Sequence, residues 1–217
     1  SAHPEIKKAE LVEGVVYIPS PVRFEQHGRL NSDIITWLGT YRSETPGIQG
    51  GDNTTVLLDY ENEVQPDAFL RLRAECGGNS YITENDYIAG PPELIVEVAA
   101  SSAAYDLHIK KQVYARDGVQ EYIAVQVYEQ RVDWFALREG VYETLTPEEA
   151  TGTTAAADAT RAGCLKSEGF PGLWLCPAAL WEGDIAGLLA CLREGLASPE
   201  HKAFVAQSRA KAESGKS

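Results

Sequence analysis

The feature that most constrains the fold is a nearly continuous apolar segment, ELIVEVAA at 93–100, which follows Pro91-Pro92. A short run of this kind is typical of a strand that is buried on both faces of a sheet. A helix is predicted directly after it, over 103–116, and Asp117-Gly118 is expected to end that helix. Because further strands are predicted on both sides of this unit, the pattern favours a mixed sheet in an α/β domain.

The other elements follow from the same periodicities. A hairpin is predicted at 10–18, with a bend at Gly14, and a helix at 22–41, where apolar residues recur at three- and four-residue steps. Segment 76–90 is expected to form a loop with a short edge strand. Further strands are predicted at 53–60, 65–72, 121–127, 131–137, 142–145 and 170–175, and further helices at 184–196 and 199–213.

A chain of 217 residues suits one domain with an appendage. We expect residues 1–9 to be a tail, 10–195 a single domain and 196–217 a C-terminal, partly helical tail. Residues 146–163 are small and polar, which predicts a surface loop within the domain.

Charge and motif content exclude several classes of protein. With 32 acidic and 19 basic residues, the net charge of −13 argues against coating nucleic acid or anionic lipid by bulk charge, although a local basic groove stays open. No apolar run approaches about 18 residues, so no membrane span is expected. The start of the chain lacks the apolar region of a signal peptide. The four cysteines form no CxxC pair, which predicts free thiols in the cytoplasm rather than a zinc site.

Two acidic residues lie in apolar strands. Glu97 interrupts the 93–100 segment, and a carboxylate buried there costs several kcal/mol unless a cation, an ion pair or hydrogen bonds compensate it. Asp67 begins the apolar segment at 65–72. Each acid alone is compatible with a solvated position at the end of a strand. Together, on neighbouring strands, they could share a hard cation such as Mg²⁺, which prefers carboxylate and water oxygens.

The helix after the Glu97 strand carries the third candidate. Asp106, Lys110 and Tyr114 are four residues apart and therefore fall within an arc of about 80° on an α-helix. Since the helix starts a few residues after Glu97, Lys110 can approach that carboxylate. A surface ion pair between Asp106 and Lys110 is the plainer alternative.

These segments resemble a known family. The residues that carry the resemblance are ELVEG at 10–14, HG at 27–28, QPDAFL at 65–70, PPELIVEVAASS at 91–102, YDLHIKKQVYARDGVQEY at 105–122 and FPGLWL at 170–175. They are similar to the Uma-type (Uma-two) branch of the PD-(D/E)xK nuclease superfamily, a family described as restriction endonucleases. The usual E-x-K lysine of the superfamily would stand at Ala99. In the Uma-type pattern a lysine of the following helix replaces it, and Lys110 matches, with Lys111 as the competing candidate.

The resemblance implies a restriction-endonuclease-like mixed central β-sheet flanked by helices, here with a C-terminal helical appendage. It also implies Mg²⁺- or Mn²⁺-dependent hydrolysis of phosphodiester bonds in DNA by a homodimer. Asp67, Glu97 and the backbone carbonyl of Val98 would hold the metal, and Lys110 would orient the attacking water. The supporting residues would be Asp106, Tyr114, Ser101, Glu10 and His27. Ser101 is interpreted chiefly as the helix cap.

Two surfaces are predicted beside this centre. Strand alternation puts Arg71 and Arg73 on the face of Asp67, and with Lys111 and Arg116 they could form a basic rim for DNA. Each of these residues is also compatible with an ordinary solvated charge. Trp134, Trp174 and Trp181 are candidates for a dimer interface, although burial in the core is the simpler expectation for each.

Two other functions stay open. The net charge of −13 is compatible with a catalytically quiet binding or assembly module that keeps the nuclease fold. A metal-dependent hydrolase of another phosphate ester would use the same acidic pair.

Overall fold

The computed structural model describes residues 9–18, 21, 23–100, 105–147 and 163–214. Its strands are β1 Glu10–Val12, β2 Val15–Tyr17, β3 Ile48–Gly51, β4 Val56–Leu57, β5 Glu63–Val64, β6 Ala68–Leu72, β7 Tyr81–Ile82, β8 Ile88–Ala89, β9 Leu94–Ala99, β10 Glu121–Gln126, β11 Arg131–Arg138, β12 Val141–Thr144, β13 Leu165–Lys166 and β14 Trp174–Leu175.

The helices are α1 Arg29–Glu44, α2 Lys111–Asp117, α3 Pro177–Glu182, α4 Ile185–Leu196 and α5 Pro199–Ser214. A π-helical turn precedes each of the first two, at Phe24–Gly28 and at Asp106–Lys110. Gly118, with φ of 88°, ends α2 as predicted. Asp184 caps α4 by accepting a hydrogen bond from the Gly187 N–H. Among the described residues, no helix is long and apolar enough to cross a bilayer.

A six-stranded mixed sheet in the order β12-β11-β10-β9-β6-β3 organises the molecule. Strands β9 and β10 are parallel, and all other neighbours in this sheet are antiparallel. The segment between the two parallel strands contains α2, so the predicted crossover is confirmed. A second sheet has the order β2-β1-β5-β4-β8-β7, and β13 pairs with β14.

The alternation of side chains along β9 divides the core into two clusters. Leu94, Val96 and Val98 point to one face of the central sheet, where they pack with α1, α3 and α4. Ile95 points to the other face, where its cluster includes Tyr114 of α2 and Val12 of the hairpin. All six residues of β9 are buried, as a strand covered on both faces requires. Glu97 has the parity of Ile95 and therefore lies on the face of α2.

The α/β fold with its mixed sheet is confirmed, and two of the local predictions that differ have a clear physical reason. The strand predicted at 53–60 is only Val56–Leu57, because Asp59 Oδ1 accepts hydrogen bonds from Glu61 N and Asn62 Nδ2 and closes a turn. Strand β3 was not predicted because it contains Gly50-Gly51, which disfavour strands. Here the glycine permits close packing, since a Cβ on Gly50 would lie 2.9 Å from Leu70 Cδ2.

The two ends of the chain and the polar loop are described only in part. Helix α5 packs on the domain through His201, whose Nε2 lies 3.0 Å from Thr45 Oγ1, and through Ser208, whose carbonyl is 3.8 Å from Cys76 Sγ. The predicted surface loop at 146–163 lies outside the described residues except at 146–147 and 163.

Candidate active site

The hairpin of β1 and β2 contributes the first site residue. Glu13 and Gly14 form its two-residue turn with φ of 53° and 72°, the conformation that a tight hairpin turn requires. The register pairs Glu10 with Tyr17, so both side chains lie on one face of the hairpin. Glu10 is 5% exposed, and its Oε1 accepts a hydrogen bond of 2.8 Å from Gln65 N.

Strands β6 and β9 bring the predicted acidic pair together. Their register pairs Ala68 with Val96. The next residues outward are Asp67 and Glu97, which therefore oppose each other on the same face of the sheet. Asp67 is 5% exposed and Glu97 is 4% exposed. Asp67 Oδ2 accepts a hydrogen bond of 2.8 Å from Val98 N and lies 3.1 Å from His27 Nε2.

The carbonyl of Val98 lies on the same side of β9 as Asp67. In an extended strand the N–H and C=O groups of one residue point to the same side. The Val98 N–H points at Asp67, whereas the Ala99 carbonyl points away, toward β10, where it accepts from Val127 N. The alternation of the backbone therefore places the Val98 carbonyl on the Asp67 side of β9.

Lys110, rather than Lys111, joins this cluster. Its ammonium lies 2.9 Å from Glu97 Oε1, 2.9 Å from Glu10 Oε1 and 3.7 Å from Asp106 Oδ1. Lys110 is only 3% exposed. Lys111 points to another side of the helix, where its Nζ lies 3.5 Å from the centre of the Phe135 ring. Lys111 therefore has no part in the acidic cluster.

Two tyrosines support this arrangement. Tyr114, one helical turn beyond Lys110, donates a hydrogen bond of 2.7 Å to Glu97 Oε1. Tyr122 on β10 donates one of 3.1 Å to the backbone carbonyl of Asp106. The Glu97 carboxylate thus receives an ammonium and a phenol on the same oxygen, which fixes its orientation.

Negative charge exceeds positive charge in this buried cluster. It holds four carboxyl groups, those of Glu10, Asp67, Glu97 and Asp106, and one ammonium, that of Lys110. Burial raises the pKa of Glu97 to about 8; Lys110 opposes the rise, while Asp67, Asp106 and Glu10 add to it. Burial lowers the pKa of Lys110, but the surrounding carboxylates outweigh burial and hold it well above its usual value. The lysine therefore stays charged.

The donor set suits a hard cation in part. Within the described ranges, no group of three or more His, Cys, Asp or Glu side chains stands close enough to hold a metal ion. Magnesium, however, commonly takes one or two carboxylates and completes its octahedron with waters and substrate phosphate oxygens. Asp67, Glu97 and the Val98 carbonyl are all oxygen donors, and the excess negative charge favours a cation. The residues present thus fit a magnesium or manganese ion.

The residues predicted to form a basic rim are not brought together. Arg71 is 4% exposed, and its guanidinium is enclosed by Ser80, whose Oγ lies 2.8 Å from Nε, and by Gln49. Arg71 therefore presents no charge to solvent. Arg73 is about half exposed and lies 3.8 Å from Glu75. The exposed Arg116 is surrounded by acids, with ion pairs of 2.5 Å to Glu13, 3.7 Å to Asp59 and 3.6 Å to Asp117.

The remaining predicted residues are Ser101 and the three tryptophans considered for a dimer interface. Ser101 lies outside the described residues. Trp134 is fully buried in the core, where its Nε1 donates to Glu121, so it cannot anchor an interface. Trp174 and Trp181 are partly buried and pack against the same core.

Sequence reasoning missed the aromatic pair beside the cluster. The rings of Tyr17 and Tyr105 lie 4.4 Å apart between centres, and the Lys110 ammonium is 5.5 Å from the centre of the Tyr105 ring. The register of the hairpin could have predicted the position of Tyr17. A two-residue turn at Glu13-Gly14 already implies that Tyr17 stands opposite Glu10.

Comparisons with known proteins agree with this fold. A family model described as "Uma2: Putative restriction endonuclease" matches residues 2–164, which confirms the resemblance seen in the sequence. The crystal structure of a putative nuclease belonging to DUF820, from Anabaena variabilis, is similar with a TM-score of 0.53 and 14% identity. The match covers 81% of this chain and 90% of that chain, and at this identity it shows the fold. No curated protein matches the chain.

Proposed function

Because the chain belongs to the Uma2 family of putative restriction endonucleases, we propose that it is a metal-dependent endonuclease that hydrolyses phosphodiester bonds in DNA. One observation carries the proposal. Asp67 and Glu97 oppose each other on adjacent buried strands, and the Lys110 ammonium stands 2.9 Å from Glu97 Oε1. Opposed carboxylates beside an ammonium are the groups that phosphodiester hydrolysis needs.

Asp67, Glu97 and the Val98 carbonyl would hold Mg²⁺ or Mn²⁺. When bound, such an ion lowers the pKa of water and offsets charge on the phosphate. His27 and the Val98 N–H hold Asp67 in place, and Tyr114 does the same for Glu97. These contacts keep the carboxylates aligned before a ligand arrives.

Lys110 would orient the attacking water or stabilise the charge that develops on the phosphate. Glu10 and Asp106 keep its ammonium protonated and beside Glu97. Neither role requires Lys110 to change its protonation state, which suits a lysine whose pKa lies well above its usual value.

Nicking of supercoiled plasmid tests the proposal. Wild-type protein should nick in Mg²⁺ or Mn²⁺ and should not nick in EDTA, and Glu97→Ala, purified in the same way, should be inactive. Equal nicking by wild type and Glu97→Ala would indicate a contaminating nuclease and count against this site.

The enclosure of Arg71 and the acidic partners of Arg116 favour a second candidate, a catalytically quiet binding module. Both arginines were expected to contact phosphates, but Arg71 is shielded from solvent and Arg116 is paired with acids. Folded protein that neither binds DNA in Ca²⁺ nor cleaves it in Mg²⁺ or Mn²⁺ would favour this candidate.

A homodimer would suit cleavage of both strands, since two-fold symmetric dimers are the commonest oligomers. Light scattering at micromolar concentration tests this part of the proposal. A monomeric mass would count against it.

A further inference from the structure

The hydroxyl of Tyr105 is a buried polar group that the proposed chemistry leaves unused. Tyr105 directly precedes the π-helical turn that carries Asp106 and Lys110. Its hydroxyl oxygen is buried and has no hydrogen-bond partner within the described part of the chain. Because buried hydroxyl groups are nearly always bonded, an unpartnered one requires an explanation.

Neighbouring tyrosines show that this is not a general property of the region. Tyr114 donates to Glu97 Oε1 at 2.7 Å, and Tyr142 donates to the Val119 carbonyl at 2.8 Å. Tyr122 likewise donates to a backbone carbonyl at 3.1 Å. Tyr105 alone of these four buries a hydroxyl without an acceptor.

The position of Tyr105 points to the ligand. The Lys110 ammonium lies 5.5 Å from the centre of its ring. The tilted contact with the Tyr17 ring and the nearby Lys110 ammonium hold the ring. Glu10 Oε1 and Glu97 Oε1 each already accept two hydrogen bonds, and neither accepts one from Tyr105. A phosphate oxygen would supply the acceptor that this hydroxyl lacks among the described residues, and Lys110 would attract it.

We propose that the Tyr105 hydroxyl donates a hydrogen bond to a non-bridging oxygen of the bound phosphodiester, which makes Tyr105 a substrate-binding residue. This inference rests on the proposed function and adds to it a contact that neither the acidic pair nor Lys110 provides. Tyr105 would hold the phosphate while Lys110 faces the acidic cluster.

Access to this hydroxyl requires local movement. The four carboxyl residues and Lys110 are each at most 5% exposed. The β1–β2 hairpin contacts both parts of the site, through Glu10 to Lys110 and through Tyr17 to Tyr105. A phosphodiester could therefore reach this hydroxyl only if the hairpin shifts and the Tyr17 ring moves away from Tyr105.

Tyr105→Phe removes only the hydroxyl. We expect KM for plasmid nicking, and the Kd for a short fluorescein-labelled DNA duplex in Ca²⁺, to rise roughly 10- to 100-fold, the effect of one hydrogen bond to a charged group. The kcat should change little. The Tm should stay within about 1 °C of wild type or rise, because no bond within the protein is lost.

Tyr142→Phe is the matched control, since it removes a buried hydroxyl that has a partner and lies outside the site. Its Tm should fall by about 2–4 °C while KM and Kd stay at the wild-type values. The two variants should therefore give opposite patterns.

Two results would overturn the assignment in different ways. A Tyr105→Phe protein with wild-type KM and Kd would overturn the role of Tyr105 alone, because the wild type in the same assay still binds and cleaves DNA. A wild-type protein that neither binds nor cleaves the duplex would overturn the proposed function together with this assignment.

Discussion

Glu97 and Glu121 lie on adjacent parallel strands of one sheet and are both almost fully buried, yet their surroundings are opposite. Glu121 accepts hydrogen bonds from four neutral donors: Trp134 Nε1 at 2.9 Å, Ser167 Oγ at 2.8 Å, and Glu168 N and Gly169 N at 2.7 Å each. Glu97 receives one ammonium and one phenol and faces three further carboxyl groups.

Glu121 is a carboxylate whose hydrogen bonds are satisfied within the protein, whereas the surroundings of Glu97 are those that we propose for a metal ligand. The donors around Glu121 satisfy both of its oxygens and connect β10 to the segment before β14. Nothing in that arrangement calls for a cation. Around Glu97 the carboxyl groups outnumber the one ammonium, and a hard cation would compensate the excess negative charge. A buried acid among like charges therefore distinguishes the face of this sheet on which we propose the metal site.

Removing the ammonium should have the largest effect. Lys110→Met leaves Glu10, Glu97 and Asp106 without their cation, so we expect a loss of about 3–5 kcal/mol in unfolding free energy without metal, together with loss of cleavage. Urea unfolding measures the first effect and plasmid nicking the second. Lys111→Met changes a lysine that packs on Phe135. Its unfolding free energy and its nicking activity should both stay close to those of wild type. The reverse pattern would assign the role to Lys111.

Glu97→Gln should separate function from stability. The amide oxygen can still accept from Lys110 and Tyr114, and removal of the charge relieves repulsion with Asp67, Asp106 and Glu10. Unfolding free energy should therefore stay the same or rise, whereas nicking falls by about 100-fold or more. A clear loss of stability would show that Glu97 is a structural carboxylate like Glu121.

Glu121→Gln should do the opposite. Its new NH₂ group would face two hydrogen-bond donors, which costs about 2–4 kcal/mol. Nicking per folded molecule should equal that of wild type, because the residue lies on the other face of the sheet. Urea unfolding with activity normalised to folded protein checks both points, and a selective loss of activity would contradict the comparison.

The smallest expected effect is in pH dependence. Burial raises the pKa of Glu121, while hydrogen bonds from Gly169, Ser167, Trp134 and Glu168 oppose the rise. The folded protein therefore binds this proton more tightly than the unfolded chain, whose pKa is about 4.3. The stabilisation is complete below that pKa and is lost as pH rises through the folded value. The stability difference between wild type and Glu121→Gln should shrink from acid to neutral pH. A difference that widens would show that folding lowers the pKa of Glu121 instead of raising it.

The centre of the site could be predicted because its signals are local in the sequence. An apolar strand that contains Glu97, and a helix with residues four apart, place Lys110 near that carboxylate without any knowledge of the whole fold. The same alternation put Arg71 on the correct face of β6. It could not show that Ser80 folds back and encloses the guanidinium.

Contacts between distant segments could not be predicted in this way. Glu10 and Lys110 are 100 residues apart, and no periodicity connects them. Three of the four donors to Glu121 come from residues 46 to 48 positions later, so the sequence showed only a strand residue there. Such contacts depend on how the second sheet and the C-terminal segments pack on the central sheet.

Calorimetric titration with Mn²⁺ in the absence of DNA measures whether Asp67 and Glu97 hold a cation, when it is carried out on wild type, Glu97→Gln and Glu121→Gln. We expect saturable binding by wild type and Glu121→Gln, with a matching rise in Tm as Mn²⁺ is added, and strongly weakened binding by Glu97→Gln. Binding by Glu97→Gln that equals wild type, or no saturable binding by wild type, would contradict a cation site at Asp67 and Glu97.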